Sequence, residues 1–322
     1  MRFNRRERIF QSAFKRIGRP IFQAKELDML AGQIINGIVS GAMYALVAIG
    51  FSLVIGVLDK LNFAHPEVFM FGGFIGLMSM SHLPMPWAFA MAFIVGGLIG
   101  VLTEFLAFRR FQTADAKITA ALASMALGLV MADLVHKWWG TEPVPVTPPE
   151  GWLTGRTSLL GVQVLNLQFL ILGITIVLMI GLQLLLQRTR MGRQIRALAE
   201  SSVSASLLGI HVRRVTQTVF FISSALAAEA GLLLALRGGA ASSDIGLTFG
   251  LKALAIMAIG GLGDLRGAVI GGLLVGVLES LMYVFGFGRL VEITVWVAMI
   301  VVLTFRPGGL FGGGVHSQEQ RA

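Results

Sequence analysis

The sequence predicts an all-α fold, a polytopic transmembrane helical bundle with about eight crossings plus a broken or re-entrant segment. Three observations predict it. Of 322 residues, 55% are hydrophobic and only 13% are charged, too few charges to cover a soluble protein of this size. Several windows exceed the ~18 apolar residues that cross a bilayer as a helix. No stretch alternates apolar and polar residues at period two, which favours helices over a barrel. Forty glycines mark close helix packing, irregular breaks, or both. The absence of cysteine excludes disulfides, metal thiolates and thiol chemistry. The net charge of +9 sits in an N-terminal arm and in loops on one side. That is an orientation signal and not a phosphate-binding surface, so no nucleic acid partner is expected.

The expected organisation is a basic N-terminal extension over residues 1–30, a membrane domain over 31–312, and a short tail over 313–322. In the extension, Phe10, Phe14 and Ile17 recur at helical spacing among arginines and lysines. This suits a helix lying among anionic lipid head groups, with a plain uncleaved anchor as the alternative. The first span is expected over 34–50, where Gly37 and Gly41 form a small-residue pair that admits a close neighbour. Further spans are expected over 87–108, 118–139, 166–186, 219–236, 247–262, 267–285 and 290–305. Gly267, Gly271, Gly272 and Gly276 line the last but one. Arg109, Arg110 and Lys117 place the 109–117 connection inside, and the proline-rich 140–165 loop is then outside. This count leaves both termini in the cytoplasm if residues 51–80 dip in and return. It puts the basic arm outside if they cross.

Two stretches break the pattern. The first is Asn62-Phe63-Ala64-His65-Pro66-Glu67. Pro66 removes a backbone donor and clashes with the carbonyl four residues back, so no smooth helix runs through it. Freed backbone groups at membrane depth need protein or a watery cavity, and Glu67 near the start of the second half is stabilised by the helix dipole. A broken helix lining a path is the economical reading. Asn62, His65, Pro66, Glu67, Asp244 and Lys252 are the candidate path residues. A purely architectural break held by His65 and Glu67 is the alternative, and so is Lys252 paired with Asp244 or Glu229, or reaching outward. Glu279 is expected to pack at a helix end.

The second is the polar stretch 187–218, with six arginines against one acid, Glu200. Such an excess places it in the cytoplasm. Ile195, Leu198, Ala205 and Leu208 recur at helical spacing, and Gly209 stands where a helix stops. One short amphipathic helix at the inner membrane face is expected, open to a push from a soluble partner. A loop that only sets topology is the alternative.

Several segments together resemble one family. They are residues 36–50 (NGIVSGAMYALVAIG), 62–67 (NFAHPE), 209–215 (GIHVRRV), 221–231 (FISSALAAEAG), 249–252 (FGLK), 259–272 (IGGLGDLRGAVIGG) and 306–312 (RPGGLFG). In this order over 31–312, they resemble the permease subunits of branched-chain amino acid ABC importers. The likeness is to the first permease of the pair, of the high-affinity leucine/isoleucine/valine type. The resemblance implies half of a translocation path in a multi-pass protein of the bacterial inner membrane. It also implies partners: a second permease subunit, two ATPase subunits, a periplasmic or lipid-anchored binding protein, and membrane lipids. It implies that a cytoplasmic helix docks on the ATPase, which assigns coupling to Arg193, Arg196, Glu200, Ala205 and Gly209. No phosphate-cradling G-x-x-x-x-G-K-[ST] occurs, so nucleotide hydrolysis belongs to partners and no cofactor is expected. The chain departs from the family at Pro66, Glu229 and Asp264, where glycine or another small residue is usual. Ser201-Ser202-Val203 stands where an acid and a proline are common. A urea or short-amide importer permease is the nearest alternative, and a proton-coupled secondary transporter using Glu67, His65 and Glu229 is another.

Overall fold

The computed structural model describes residues 4–111, 116–146, 151–159 and 162–312, with side chains from residue 29 onward. The expected interfacial side chains Phe10, Phe14 and Ile17 and the tail 313–322 lie outside that part. Helices dominate: α1 (Asn4–Leu58), α2 (His65–Met80), α3 (Met85–Thr103, continued by a wider π-type turn to Phe108), α4 (Lys117–Trp139) and α5 (Asn166–Arg188). Then come α6 (Arg190–Glu200), α7 (Ser202–Leu207), α8 (Val212–Gly238), α9 (Ile245–Gly260), α10 (Leu265–Val284) and α11 (Val291–Phe305). Among the described residues, seven segments are long and apolar enough to span a bilayer, and α9 is a shorter apolar helix. With the 16-residue α2 this is the expected set of crossings plus one broken segment.

Contacts sort the loops into two ends. At one end, β1 (Val144–Pro145) pairs antiparallel with β4 (Ala240–Ala241), and β2 (Arg156–Leu159) with β3 (Val162–Leu165). Gly32 of α1 lies against Val162 there. Gln168 donates to Asn36 Oδ1 at 2.6 Å, and Phe74 packs on Trp139. At the other end, Lys117 pairs with Asp59, Lys60 reaches the Phe111 carbonyl, and Gly56 lies against Gly263. Residues 308–312 fold back onto Gly260 and Gly261 there. Helix α2 therefore runs from the break towards the strand end. Residues 51–80 pass through and do not return, so Met29 and Arg306 lie at opposite ends of the bundle. Of the two expected cases for residues 51–80, dipping in or crossing, the contacts favour crossing.

The centre is built from helices that touch backbone to backbone. Gly37 and Gly41 of α1 meet Gly272, Leu273 and Gly276 of α10. A methyl group on Gly72 would strike the Ala228 carbonyl, and one on Gly231 the Phe69 carbonyl. Lipid tails are as apolar as leucine, so helices in a membrane associate through this close van der Waals packing. The spans of α1 and α8 are each 83% buried, whereas those of α4, α5 and α11 are 28%, 22% and 11% buried. A hub of α1, α2, α8, α9 and α10 thus carries a rim of exposed apolar helices.

Candidate functional site

The break between Leu58 and His65 starts at the exposed Asp59 and Leu61 and enters the hub at Asn62. Asp59 takes a positive φ of 52°, a conformation uncommon outside glycine that turns the chain out of α1. The Asn62 side-chain oxygen accepts from the Ala64 amide at 3.1 Å, and Ser124 Oγ of α4 accepts from the Phe63 amide at 2.9 Å. These bonds hold the loop. Pro66 occupies the first turn of α2, where its missing N–H has no intrahelical partner to lose. Space around it is made by glycine: Gly250 of α9 lies against the Pro66 ring, and Gly246 faces the Glu67 carboxylate.

Asn62 and His65 are buried, and the His65 ring packs on Phe51 with centroids 4.4 Å apart. Asn62 Nδ2, both His65 ring nitrogens and Glu67 Oε2 are buried without a hydrogen-bond partner, as are Ser52 Oγ on α1 and Ser243 Oγ just before α9. Unpartnered polar atoms are costly in a bundle core. The four sequence-selected residues 62 and 65–67 are thus brought together. The remaining two are not part of that group. Asp244 is exposed at the start of α9. Lys252 donates to Glu279 Oε1 at 3.0 Å, and Tyr44 donates to Glu279 Oε2 at 2.6 Å. The lysine's expected partners, Asp244 and Glu229, are replaced by Glu279, which does not sit at a helix end as anticipated but in the α1/α9/α10 seam. Phe249 stacks near Phe69 at 5.7 Å and lies 5.6 Å under the Lys252 ammonium. Next to this group, Arg237 donates to Ser40 Oγ and to the Asn36 carbonyl. Tyr44 and Arg237 were missed from the sequence and Glu279 was expected elsewhere, since nothing in their neighbours marks which helix they face.

The polar stretch forms two helices where one was expected. Thr189 caps α6 through the Gly192 amide, and Ser201 caps α7 through the Ser204 amide. An extended Ser201 (φ −162°) separates them, because a serine that caps a new helix cannot continue the old one. Gly192, Ile195 and Leu198 bury one side of α6, while Arg193, Arg196 and Glu200 stay exposed. Arg196 reaches back to the Leu186 carbonyl at the end of α5. Ala205 is buried, and Gly209, at φ 78°, ends α7 in the left-handed conformation that favours glycine. Val203, Leu207 and Leu208 project outward with 70%, 85% and 78% exposure, an apolar knob on an otherwise basic end.

Residues 33–304 match the family described as branched-chain amino acid transport system / permease component. The chain belongs to this permease family. The permease is 35% identical over 292 residues to the high-affinity branched-chain amino acid transport system permease protein BraD of Pseudomonas aeruginosa, covering 87% of this chain and 95% of that protein. It is 32% identical over 292 residues to the corresponding permease protein LivH of Escherichia coli K12, covering 87% and 94%. A probable LivH of Methanocaldococcus jannaschii is 27% identical over 303 residues, covering 88% and 94%. The permease is therefore a membrane transport component and not an enzyme, and the matched residues span both the break and the polar stretch.

Proposed function

We propose that this permease forms half of the path by which an ATP-driven importer carries branched-chain or related apolar amino acids across a bacterial inner membrane. The observation that carries the reading is the break at residues 59–67. It sets two buried polar atoms without partners, Asn62 Nδ2 and Glu67 Oε2, beside the start of α2 inside the bundle. A zwitterionic amino acid needs an acceptor for its ammonium and donors for its carboxylate. Glu67 serves the first, and Asn62, His65 and the positive end of α2 serve the second.

The work arrives from outside the chain. In this reading, residues 188–212 face the cytoplasm, two ATPase subunits hold the exposed α6–α7 knob, and a second permease and a substrate-binding protein complete the assembly. Closure of the ATPases pulls on α6 and α7 and re-orients the helices around the break. The Met29 end of the first span then faces outward and Arg306 inward. Replacing Glu67 by Gln in the reconstituted complex is expected to cut leucine uptake by about tenfold or more, since a hydrogen bond to a charged group contributes about 1.5–3 kcal/mol. Unchanged uptake of labelled leucine with full ATPase activity would remove Glu67 from the path.

A further inference from the structure

Between α3 and α5 the rim opens into a cleft of about 580 Å3 that the transport reading does not use. Its walls are apolar, with Phe89 and Phe93 from α3 and Leu170, Ile174 and Leu178 from α5. Its floor is Glu229 of α8, which is only 3% exposed. The Oε2 atom of Glu229 has no hydrogen-bond partner. A carboxyl group in hydrocarbon is costly unless a hydrogen-bond partner answers it.

We propose that this cleft seats a transmembrane helix of a different membrane chain, the second permease, and that this helix brings a hydrogen-bond donor to Glu229. The inference rests on the reading that a second permease completes the assembly. A lipid acyl chain fills apolar walls but donates nothing. A second copy of this chain fares no better. A two-fold contact presents the same patch from both sides, and each Glu229 lies at the floor of a recess whose other lining residues carry no side-chain donor, so the two carboxyl groups stay apart. What satisfies the site is an occupant apolar along its length with one donor at the depth of Glu229, which describes a membrane helix carrying a single polar residue. Helix α5 is prepared for close approach: a methyl group built on Gly173 or Gly181 meets open space, and Ile176 and Val177 stand 51% and 67% exposed.

The chain has no cysteine, so single substitutions report cleanly. Phe89→Cys and Ile174→Cys are labelled in membranes with a lipid-soluble maleimide and normalised to labelling after denaturation in detergent. The full chain alone is compared with the chain co-expressed with the second permease. Labelling at both positions is expected to fall at least about fivefold in the complex, as fully desolvated interface positions do. Glu229→Leu is expected to reduce the co-purified second permease about tenfold, the effect of leaving the partner's buried donor without an acceptor. Glu229→Gln keeps an acceptor and holds association within about threefold. If no second permease co-purifies with the unaltered chain, the assembly itself is refuted. If it co-purifies while both cysteines label as in the chain alone, lipid covers the cleft and the proposal falls. Disulfide-linked pairs of Ile174→Cys chains would identify a second copy as the occupant, and overturn it equally.

Discussion

Lys252 and Glu279 form a buried ion pair in the hub, and their worth is best judged by removing them one at a time. Breaking a buried ion pair from one side leaves an uncompensated charge and costs about 3–5 kcal/mol, whereas replacing both partners by apolar groups is often neutral or stabilising. Lys252→Met alone is therefore expected to lower the thermal unfolding temperature of the detergent-solubilised chain markedly. The double variant Lys252→Met with Glu279→Leu should restore most of it, although Tyr44 then loses its acceptor. Failure of the double variant to recover would show that the lysine acts through something other than this pair. At this scale the sequence was informative about which residues are unusual and silent about what they meet. A lysine in an apolar helix is conspicuous. Its partner stands 27 positions away on the next helix, and period alone cannot choose among the acids within reach. The residues around Pro66 were legible because a proline flanked by polar residues changes local backbone rules wherever it falls.

Among elements, α6 and α7 were the most legible in character and the least in detail. Arginine excess and apolar spacing marked a helical stretch between spans. The division at Ser201 escaped notice, because a serine reads as tolerable within a helix until its side chain is seen capping the next one. The division matters mechanically: α6 is anchored by Arg196 to α5, while α7 hangs from it by one turn and carries the exposed leucines. Gly209→Val is expected to cost about 1–3 kcal/mol locally by forcing a β-branched residue into a left-handed conformation, detaching α7 from its end geometry. ATPase stimulation by substrate in the reconstituted complex should fall, with the chain's own level in membranes unchanged. Leu207→Asp should weaken ATPase co-purification by about tenfold, the loss expected of one well-packed interface anchor. Equal recovery of ATPase with this variant would move the docking surface elsewhere.

For the molecule as a whole, the decisive experiment concerns autonomy. Proteoliposomes holding this chain alone are expected to show no leucine or urea uptake under an imposed proton gradient, whereas the complete assembly with ATP should accumulate leucine and leave urea behind. Uptake by the isolated chain would replace the ABC reading with a self-driven one. The bundle class and the spans were readable because an apolar run of sufficient length has few other uses. The sidedness of the first span was not, since it depends on whether residues 51–80 pass through or turn back, and hydropathy scores both alike.

The interlocked glycines at the centre set a limit on how such a protein can move. Where one backbone rests directly on another at Gly72 and Gly231, there is no cushion of side chains to shear, and sliding by even part of a turn meets a carbonyl. On the proposed function, the five central helices then re-orient around the break together, as one stiff keel. Motion is left to the joint between this keel and its neighbour, so the stroke resembles two hulls rocking against each other more than one hull bending.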